Sequence, residues 1–448
     1  MMTLEDYLRA DAERYADKVA VVCGSSTLTY AQLYRMVEER AQQLRAQGIA
    51  ERQGVVMRTT QDVEFLVQYF AVHLIGAVAV PLEKDTPQSR FDEICRQVQG
   101  ADIPAGTADI LFTTGTTGQS KGVMISHRTI VCNAENLIGG QLFSHDLVFL
   151  ICGPLNHIGS LSKIYPVILL GATLYILEGM KDLEAFFRAL DYPCHKMATF
   201  MVPASIRILL QLGAKRMEKY VDKIDFIEAG GAPLPPSDQQ AFCKALPKSR
   251  LYNTYASTET GIICTYNYND GRGLSGCLGR PMRHSRVFIT PEGRVACQGP
   301  TLMTGYVGDP QKTAEVLHDD TVFTADNGVI NEEGMLFLQG RSDDVINIGG
   351  YKVAPSEVED AALSYTGIKD CICIGVSHPT FGNALKLLYV PAEGIEVSKR
   401  ELARHINKSL ESYKVPQLYE QVERVQRTYN GKLDRKYYRN NYSIGKRP

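Results

Sequence analysis

The chain lacks several features that would assign it to large functional classes. It has no excess of charge of one sign: 48 Lys and Arg stand against 50 Asp and Glu, a formal net charge of −2. No global basic field therefore draws it to nucleic acid. It has no long apolar run. The longest candidate, "YFAVHLIGAVAVPL", is interrupted by His73 and Pro81 and falls short of the roughly 18 residues of a membrane span. That stretch predicts a buried helix followed by a strand. None of the eleven cysteines forms a CxxC pair, which predicts reduced thiols, no zinc site and a cytoplasmic protein. Cys371 and Cys373 are two apart and would share one face of a strand. No GxGxxG follows an apolar strand, which argues against a dinucleotide-dependent dehydrogenase. The opening "MMTLEDYLRADAERYADK" is charged throughout and predicts an amphipathic helix, not a signal peptide.

What is present is the composition of a soluble protein of more than one domain, with 448 residues, 44% hydrophobic and 22% charged. Helical periods alternate with short apolar strands. "TYAQLYRMVEERAQQLRAQG" sets Leu33, Val37 and Leu44 on one helical face and ends at Gly48. "GATLYIL" and "KIDFIEAGGAPL" read as strands entering Gly-rich turns. Such alternation predicts an α/β fold of mainly parallel sheets under helices, with ligands at the carboxyl ends of the strands. The polar "GRSDD" before "VINIGGYKVAPSEVED" predicts a boundary between a large domain, residues 1–342, and a small α+β domain, residues 343–448. Pro355, Ser356 and Glu357 suit a first helical turn there.

Five stretches carry candidate chemistry. "FTTGTTGQSKGV", residues 112–123, offers backbone N–H groups, hydroxyls and one lysine, which together suit a phosphate. It fails the Walker spacing, because Gln119 and Ser120 separate Gly118 from Lys121. The apolar "ADILF" before it would aim the loop at a fixed point; a Gly/Ser run without such a strand reads as a surface turn. In "YNTYASTETG", Thr258 can hold a phosphate oxygen and Glu259 a Mg²⁺ ion, although a Thr-Glu pair alone is usually a helix cap. "EAGGAPL" lets a flat ring approach the backbone, or is simply a tight turn. Asp326 in "VFTADNG" and Arg341 in "GRSDD" can bind a ribose diol, against a plain reading as solvated turns. Lys432 in "RTYNGKLDRK" alone would be a mobile surface lysine.

Taken in order, these stretches resemble the adenylate-forming superfamily of acyl- and aryl-CoA ligases, peptide-synthetase adenylation domains and luciferase. The resemblance runs from about Thr29 to Lys436. It rests on Thr113 to Lys121, "GGAPL" at Gly230 to Leu234, Tyr255-Ala256-Ser257-Thr258-Glu259, Thr324-Ala325-Asp326, Arg341 to Asp344, the Val353-Pro355-Glu357-Val358-Glu359 pattern, and Arg427-Thr428 with Gly431-Lys432 and Arg435.

The resemblance implies that a carboxylate attacks the α-phosphorus of ATP to give an acyl-adenylate and pyrophosphate, and that a thiol then displaces AMP. It implies that Thr113, Thr114, Gly115, Thr116, Thr117, Gly118 and Lys121 hold the β- and γ-phosphates. Gly230, Gly231, Ala232 and Pro233, with Tyr255, Ala256 and Ser257, would border the nucleotide. Thr258 would meet the α-phosphate, Glu259 would hold Mg²⁺, and Asp326 and Arg341 would fix the ribose. Lys432 would bridge the two reactants. Rotation about Asp343 would then bring Gly349 and Gly350 to a thiol tunnel. His157, in "ICGPLNHIGSLSK", matches the position beside the carboxylate pocket in acyl- and aryl-CoA ligases; a histidine satisfied by a backbone carbonyl is the plain alternative. That segment lacks the Asp with which amino-acid-activating members bind an ammonium group, so the resemblance favours a non-amino acid, with CoA as acceptor. Lys163 could meet a second substrate carboxylate, but reads first as solvated.

The chain departs from the family pattern in places. Only residues 82–111 separate Pro81 from Phe112, where the family usually carries more than twice as many, so peripheral β-α units are expected to be missing. Ala256 and Ala325 replace family glycines, Asn347 a common lysine and Gln426 a common proline. Two rivals stand beside a CoA ligase: an enzyme loading a carrier-protein phosphopantetheine, and a non-catalytic nucleotide-binding homologue. A monomer or homodimer is expected, with no membrane span and no nucleic-acid partner.

Overall fold

In a computed structural model, residues 2–114, 120–180, 182–232, 234–341, 344–348, 351–378, 382–428 and 431–442 are described. Two sheets share one core. The first has eight strands in the order Gly261–Asn267, Arg250–Ser257, Ile224–Ala229, Lys196–Met201, Leu147–Ile151, Thr173–Ile176, Val19–Cys23 and Ser26–Thr29. Its six inner strands are parallel, and an antiparallel strand closes each edge. The second has five: Gly305–Tyr306, Ser120–Ser126, Thr107–Thr114, Val78–Glu83 and Gly54–Thr59. Strands such as Leu147–Ile151 and Val78–Glu83 are continuous apolar runs because their parallel neighbours and the covering helices bury both faces.

The "YFAVHLIGAVAVPL" stretch divides as expected, into the helix Val63–Leu74 and the strand Val78–Glu83. Phe65, Leu66, Val67, Tyr69, Phe70, Ala71 and Val72 in that helix are all buried, in one cluster with residues of both sheets. A helix apolar all round needs such a surround. The Tyr30–Ala46 helix buries Leu33, Val37 and Leu44, as its period predicts, and Thr29 and Gln32 form a capping box at its start.

Alternation did not foretell a third sheet. Cys277–Gly279, Leu336–Arg341, Thr321–Ile330, Arg294–Gln298, Arg286–Ile289 and Leu317–His318 are antiparallel throughout. Asp326 therefore lies on a strand, not in the solvated turn that its Asp-Asn-Gly context suggests.

The C-terminal segment has its own core. The helix Pro355–Leu363 packs on the strands Ile368–His378, Gly382–Pro391 and Leu418–Gln421, burying Cys371 and Cys373 on one face. Arg435 forks onto both oxygens of Glu359 at 2.9 and 2.8 Å and reaches Asp344 at 3.2 Å. At Gln426, where the resemblance leads to an expectation of proline, the backbone N–H donates to the Tyr438 hydroxyl at 2.8 Å, a bond that proline cannot make.

Asp360 lies among like charges. Burial first, then Glu359, then Asp238 of the larger segment, push its carboxyl up to about 7. The native state thus holds a proton that the unfolded chain releases above its ordinary value of 3.8. The stabilisation is full at low pH and is lost as pH rises towards about 7. Asp360→Asn removes the charge at every pH. Its stability gain over the parent, from urea midpoints between about pH 5 and pH 8, is therefore expected to grow with pH. A gain that does not vary with pH rules out this titration.

Candidate active site

Three parallel strands, Lys196–Met201, Ile224–Ala229 and Arg250–Ser257, end side by side, with Ala229 opposite both Met201 and Asn253. Their carboxyl ends deliver Gly230, Gly231 and Thr258 to one rim. Thr258 and Glu259 sit in the turn between antiparallel strands, not at a helix cap. The Thr107–Thr114 strand runs into residues 115–119 and returns as Ser120–Ser126, with Thr113 opposite Lys121. Gly115, Thr116, Thr117, Gly118, Pro233, Asp343, Gly349 and Gly350 lie outside the described residues, as does the Thr114 side chain.

The expected ribose pair is assembled by sheet register: Asp326 lies opposite Arg341 on neighbouring strands. Arg341 Nη1 donates to Asp326 Oδ1 at 3.2 Å, and the Tyr255 hydroxyl donates to Oδ2 at 2.7 Å. Burial, then the Asp326 charge, raise the Tyr255 phenol well above its usual value and keep it a donor. Ala256 is exposed, so it meets no packing demand for glycine.

Glu259 accepts a hydrogen bond from the Tyr306 hydroxyl at 3.0 Å, and Lys121 Nζ lies 5.3 Å from the Tyr306 ring centroid. Tyr306 thus joins the acid of one sheet to the cation of another. Sequence reasoning missed it, because its two-residue strand pairs with Ser120–Ser126 from far along the chain.

His157 caps a short helix: its Nδ1 accepts the Gly159 N–H at 3.2 Å. The proton is then on Nε2. Burial, followed by the nearby Lys432 charge, depresses the imidazole pKa to about 4, so the ring is neutral near pH 7. Its partner is a backbone donor, not the carbonyl of the plain alternative.

Lys432 reaches this rim from the C-terminal segment. Its Cε lies 3.7 Å from where a Cβ on Gly231 would stand. Gly231 has φ +82°, which a side chain rarely adopts. Lys432 keeps an exposed surface, yet desolvation by the surrounding walls and then the Arg341 charge lower its pKa, while Glu259 and Asp326 act to raise it. The turn beneath it is braced. Thr428 N–H donates to the Lys432 carbonyl at 2.8 Å, and Arg427 holds the Gly431 carbonyl at 2.9 Å and Asp370 at 2.7 Å.

Lys163 corrects an expectation. It is 1% exposed, not solvated, and its Nζ lies 2.8 Å from both oxygens of Glu228. Burial lowers its pKa and Glu228 opposes that shift. Its charge is already balanced within the protein. Phe200, also missed, lies 5.2 Å from Lys163 Nζ and fills the space that a Cβ on Gly159 or Gly230 would need, 2.8 Å away in each case. Only the fold brings residues 157–163, 200 and 228–230 together.

The family model described as AMP-binding enzyme matches residues 8–101 and 102–307, and that of the AMP-binding enzyme C-terminal domain matches residues 357–432. The chain is 27% identical to a feruloyl-CoA synthase of Amycolatopsis over 92% of this chain and 94% of that protein. That alignment spans 468 positions, more than the 448 residues here, so the relative carries segments that this chain lacks. The chain is also 25% identical to a 2-succinylbenzoate–CoA ligase of Staphylococcus epidermidis over 96% of each. The ATP-bound structure of MatB from Rhodopseudomonas palustris shares the fold, with a TM-score of 0.87 and 23% identity over 98% of this chain and 99% of that one.

Proposed function

As this chain belongs to the AMP-binding enzyme family, we propose that it is an ATP-dependent acid–thiol ligase acting on a non-amino acyl or aryl acid, with CoA as acceptor. The observation that carries this reading is the convergence on one rim of Lys432, His157, Glu259, Asp326 and Arg341, drawn from five separate stretches.

In the first half-reaction a substrate carboxylate attacks the α-phosphorus of ATP and pyrophosphate leaves. Two anions must be brought together, so the site has to supply positive charge where the new bond forms. Lys432 supplies it from the small domain. Thr258 donates to the α-phosphate. The Asp326–Arg341 pair, with Tyr255 fixing one Asp326 oxygen, holds the ribose diol. Glu259 fits a Mg²⁺ site, since one carboxylate plus phosphate oxygens is a common way to hold that ion. Tyr306 fixes the Glu259 oxygen it bonds, and Lys121 reaches the terminal phosphates from the same side. Mg²⁺, when bound, neutralises triphosphate charge. Neutral His157 offers its Nε2–H to the acid without adding a charge to the pocket.

In the second half-reaction a thiol attacks the acyl carbonyl and AMP leaves. Lys432 fills the space beside Gly231, so the small domain rotates about Asp343 to admit the thiol along Gly349 and Gly350. The boundary at residues 342 and 343 is read as that hinge.

Lys163 is neutralised, so it does not select a dicarboxylic acid, and Phe200 with His157 favours a flat or slender acyl group. Pyrophosphate release across fatty, aryl, hydroxycinnamic and dicarboxylic acids, each with and without CoA, tests the reading. Release with aryl or acyl monoacids, stimulated by CoA, is expected. Release unaffected by CoA points to a carrier-protein acceptor, and silence with every acid overturns the proposal.

A further inference from the structure

Apart from the residues of the nucleotide rim, three residues meet beneath the first helix. Glu5 comes from the helix Leu4–Arg14, His73 from the end of Val63–Leu74, and His127 from the first position of His127–Gln141. One ligand atom from each lies within 4.8 Å of the other two. Glu5 Oε2 is 3.9 Å from His73 Nδ1, and Glu5 Oε1 is 3.5 Å from His127 Nδ1. The two imidazoles meet edge to face, with centroids 5.2 Å apart.

The polar atoms of this cluster face one another without hydrogen-bonding. Glu5 Oε2, His73 Nδ1 and His127 Nδ1 are buried and have no hydrogen-bond partner. His73 is 2% exposed and Glu5 8%. Leaving several such groups unsatisfied in a core is costly. The far nitrogen of His73 is satisfied: Nε2 lies 2.9 Å from Asp109 Oδ1, and the other Asp109 oxygen accepts from the hydroxyls of Tyr69 at 2.9 Å and Tyr165 at 3.4 Å. A buried carboxylate that accepts the N–H of one ring nitrogen leaves the opposite nitrogen of a neutral imidazole with its lone pair free for a metal. Metal-binding histidines are commonly oriented in this way.

We propose that Glu5, His73 and His127 bind one divalent transition-metal ion, with Asp109 as the positioning residue for His73. Two imidazoles and a carboxylate select zinc-like ions over Mg²⁺ or Ca²⁺, which prefer oxygen ligands. Tetrahedral zinc with bonds near 2.0 to 2.1 Å places its ligand atoms about 3.4 Å apart; the two Glu5 pairs, at 3.5 and 3.9 Å, need only a small contraction, and the two histidine nitrogens lie within 4.8 Å of each other. The shortage of paired cysteines predicts no zinc site, but these ligands are His and Glu and come from three helices. The ion would tie the first helix to the base of the hairpin formed by Thr107–Thr114 and Ser120–Ser126. Its role is structural and independent of the acid the enzyme activates.

The test uses the full chain, stripped with chelator and titrated with Zn²⁺ or Co²⁺ alone. One equivalent per chain is expected. Co²⁺ should show visible d–d bands of a low-coordinate nitrogen and oxygen site, without a thiolate charge-transfer band. Excess Zn²⁺ should raise Tm by roughly 3 °C. His127→Gln, at a side chain 19% exposed, and Glu5→Gln should each weaken binding by about 100-fold or more and abolish the Tm shift. Equal binding by parent and variants, thiolate bands with Co²⁺, or no stoichiometric binding overturns the proposal.

Discussion

Lys432→Ala is expected to slow acyl-adenylate formation by about 100-fold or more while leaving thioester formation from supplied acyl-adenylate close to the parent rate. The reason lies in where the lysine stands. Its ammonium is a flexible cation set beside Gly231 and within electrostatic reach of Glu259, Asp326, Arg341 and His157, where the proposed reaction brings the carboxylate and the α-phosphate together. Losing a charge contact made chiefly in the transition state lowers kcat and kcat/KM together. In the proposed second half-reaction that space is vacated, so the truncation would remove nothing it uses. Single-turnover measurement of each half-reaction separates the two. Equal loss in both would sink the two-conformation reading of this chain. The lysine's lowered pKa adds a pH signature. The adenylation step should fail at high pH sooner than an ordinary lysine would allow, because the charge is lost earlier.

Lys163→Met is expected to cost about 3–5 kcal/mol of stability, the largest effect on folding anticipated outside the apolar core. Both partners of the Lys163–Glu228 pair are 1% exposed, and removing the ammonium strands a carboxylate with no water to solvate it. The double variant Lys163→Met with Glu228→Leu removes both charges and should regain most of the loss, since apolar groups of similar volume replace a buried pair at little cost. Urea midpoints of the parent, the single and the double variant decide the matter. A single variant within about 1 kcal/mol of the parent would mean that water reaches the pair. The pair also lies against Phe200, so the single variant should disturb the acid's KM more than that of ATP.

Much of the proposed site is legible in the sequence because chemistry that would face a nucleotide leaves local signatures. The ordered appearance of Gly-rich turns after apolar strands, of Thr-Glu, of Asp326 and Arg341, and of a lysine after glycine near the end of the chain follows from short-range needs: free N–H groups, φ above zero, a carboxylate at a strand's end. Periodicity likewise predicts the helix Tyr30–Ala46, because alternation between core and water is written residue by residue, whereas the buried Val63–Leu74 shows as an apolar run. The reading of Lys163 failed for the converse reason. A lysine is solvated unless something distant takes its charge, and Glu228 lies 65 positions away on the strand Ile224–Ala229.

The sequence by itself therefore determined the α/β character, the order of the motifs and the residues that offer charge or hydroxyls. Tertiary structure alone decided which of them meet. It set Tyr306 between Glu259 and Lys121, wedged Phe200 against Gly159 and Gly230, paired Lys163 with Glu228, and gathered Glu5, His73 and His127 under one helix. Each contact joins residues far apart in the chain. Its existence depends on sheet order and on how helices cover the sheets, and no local pattern of residues encodes either.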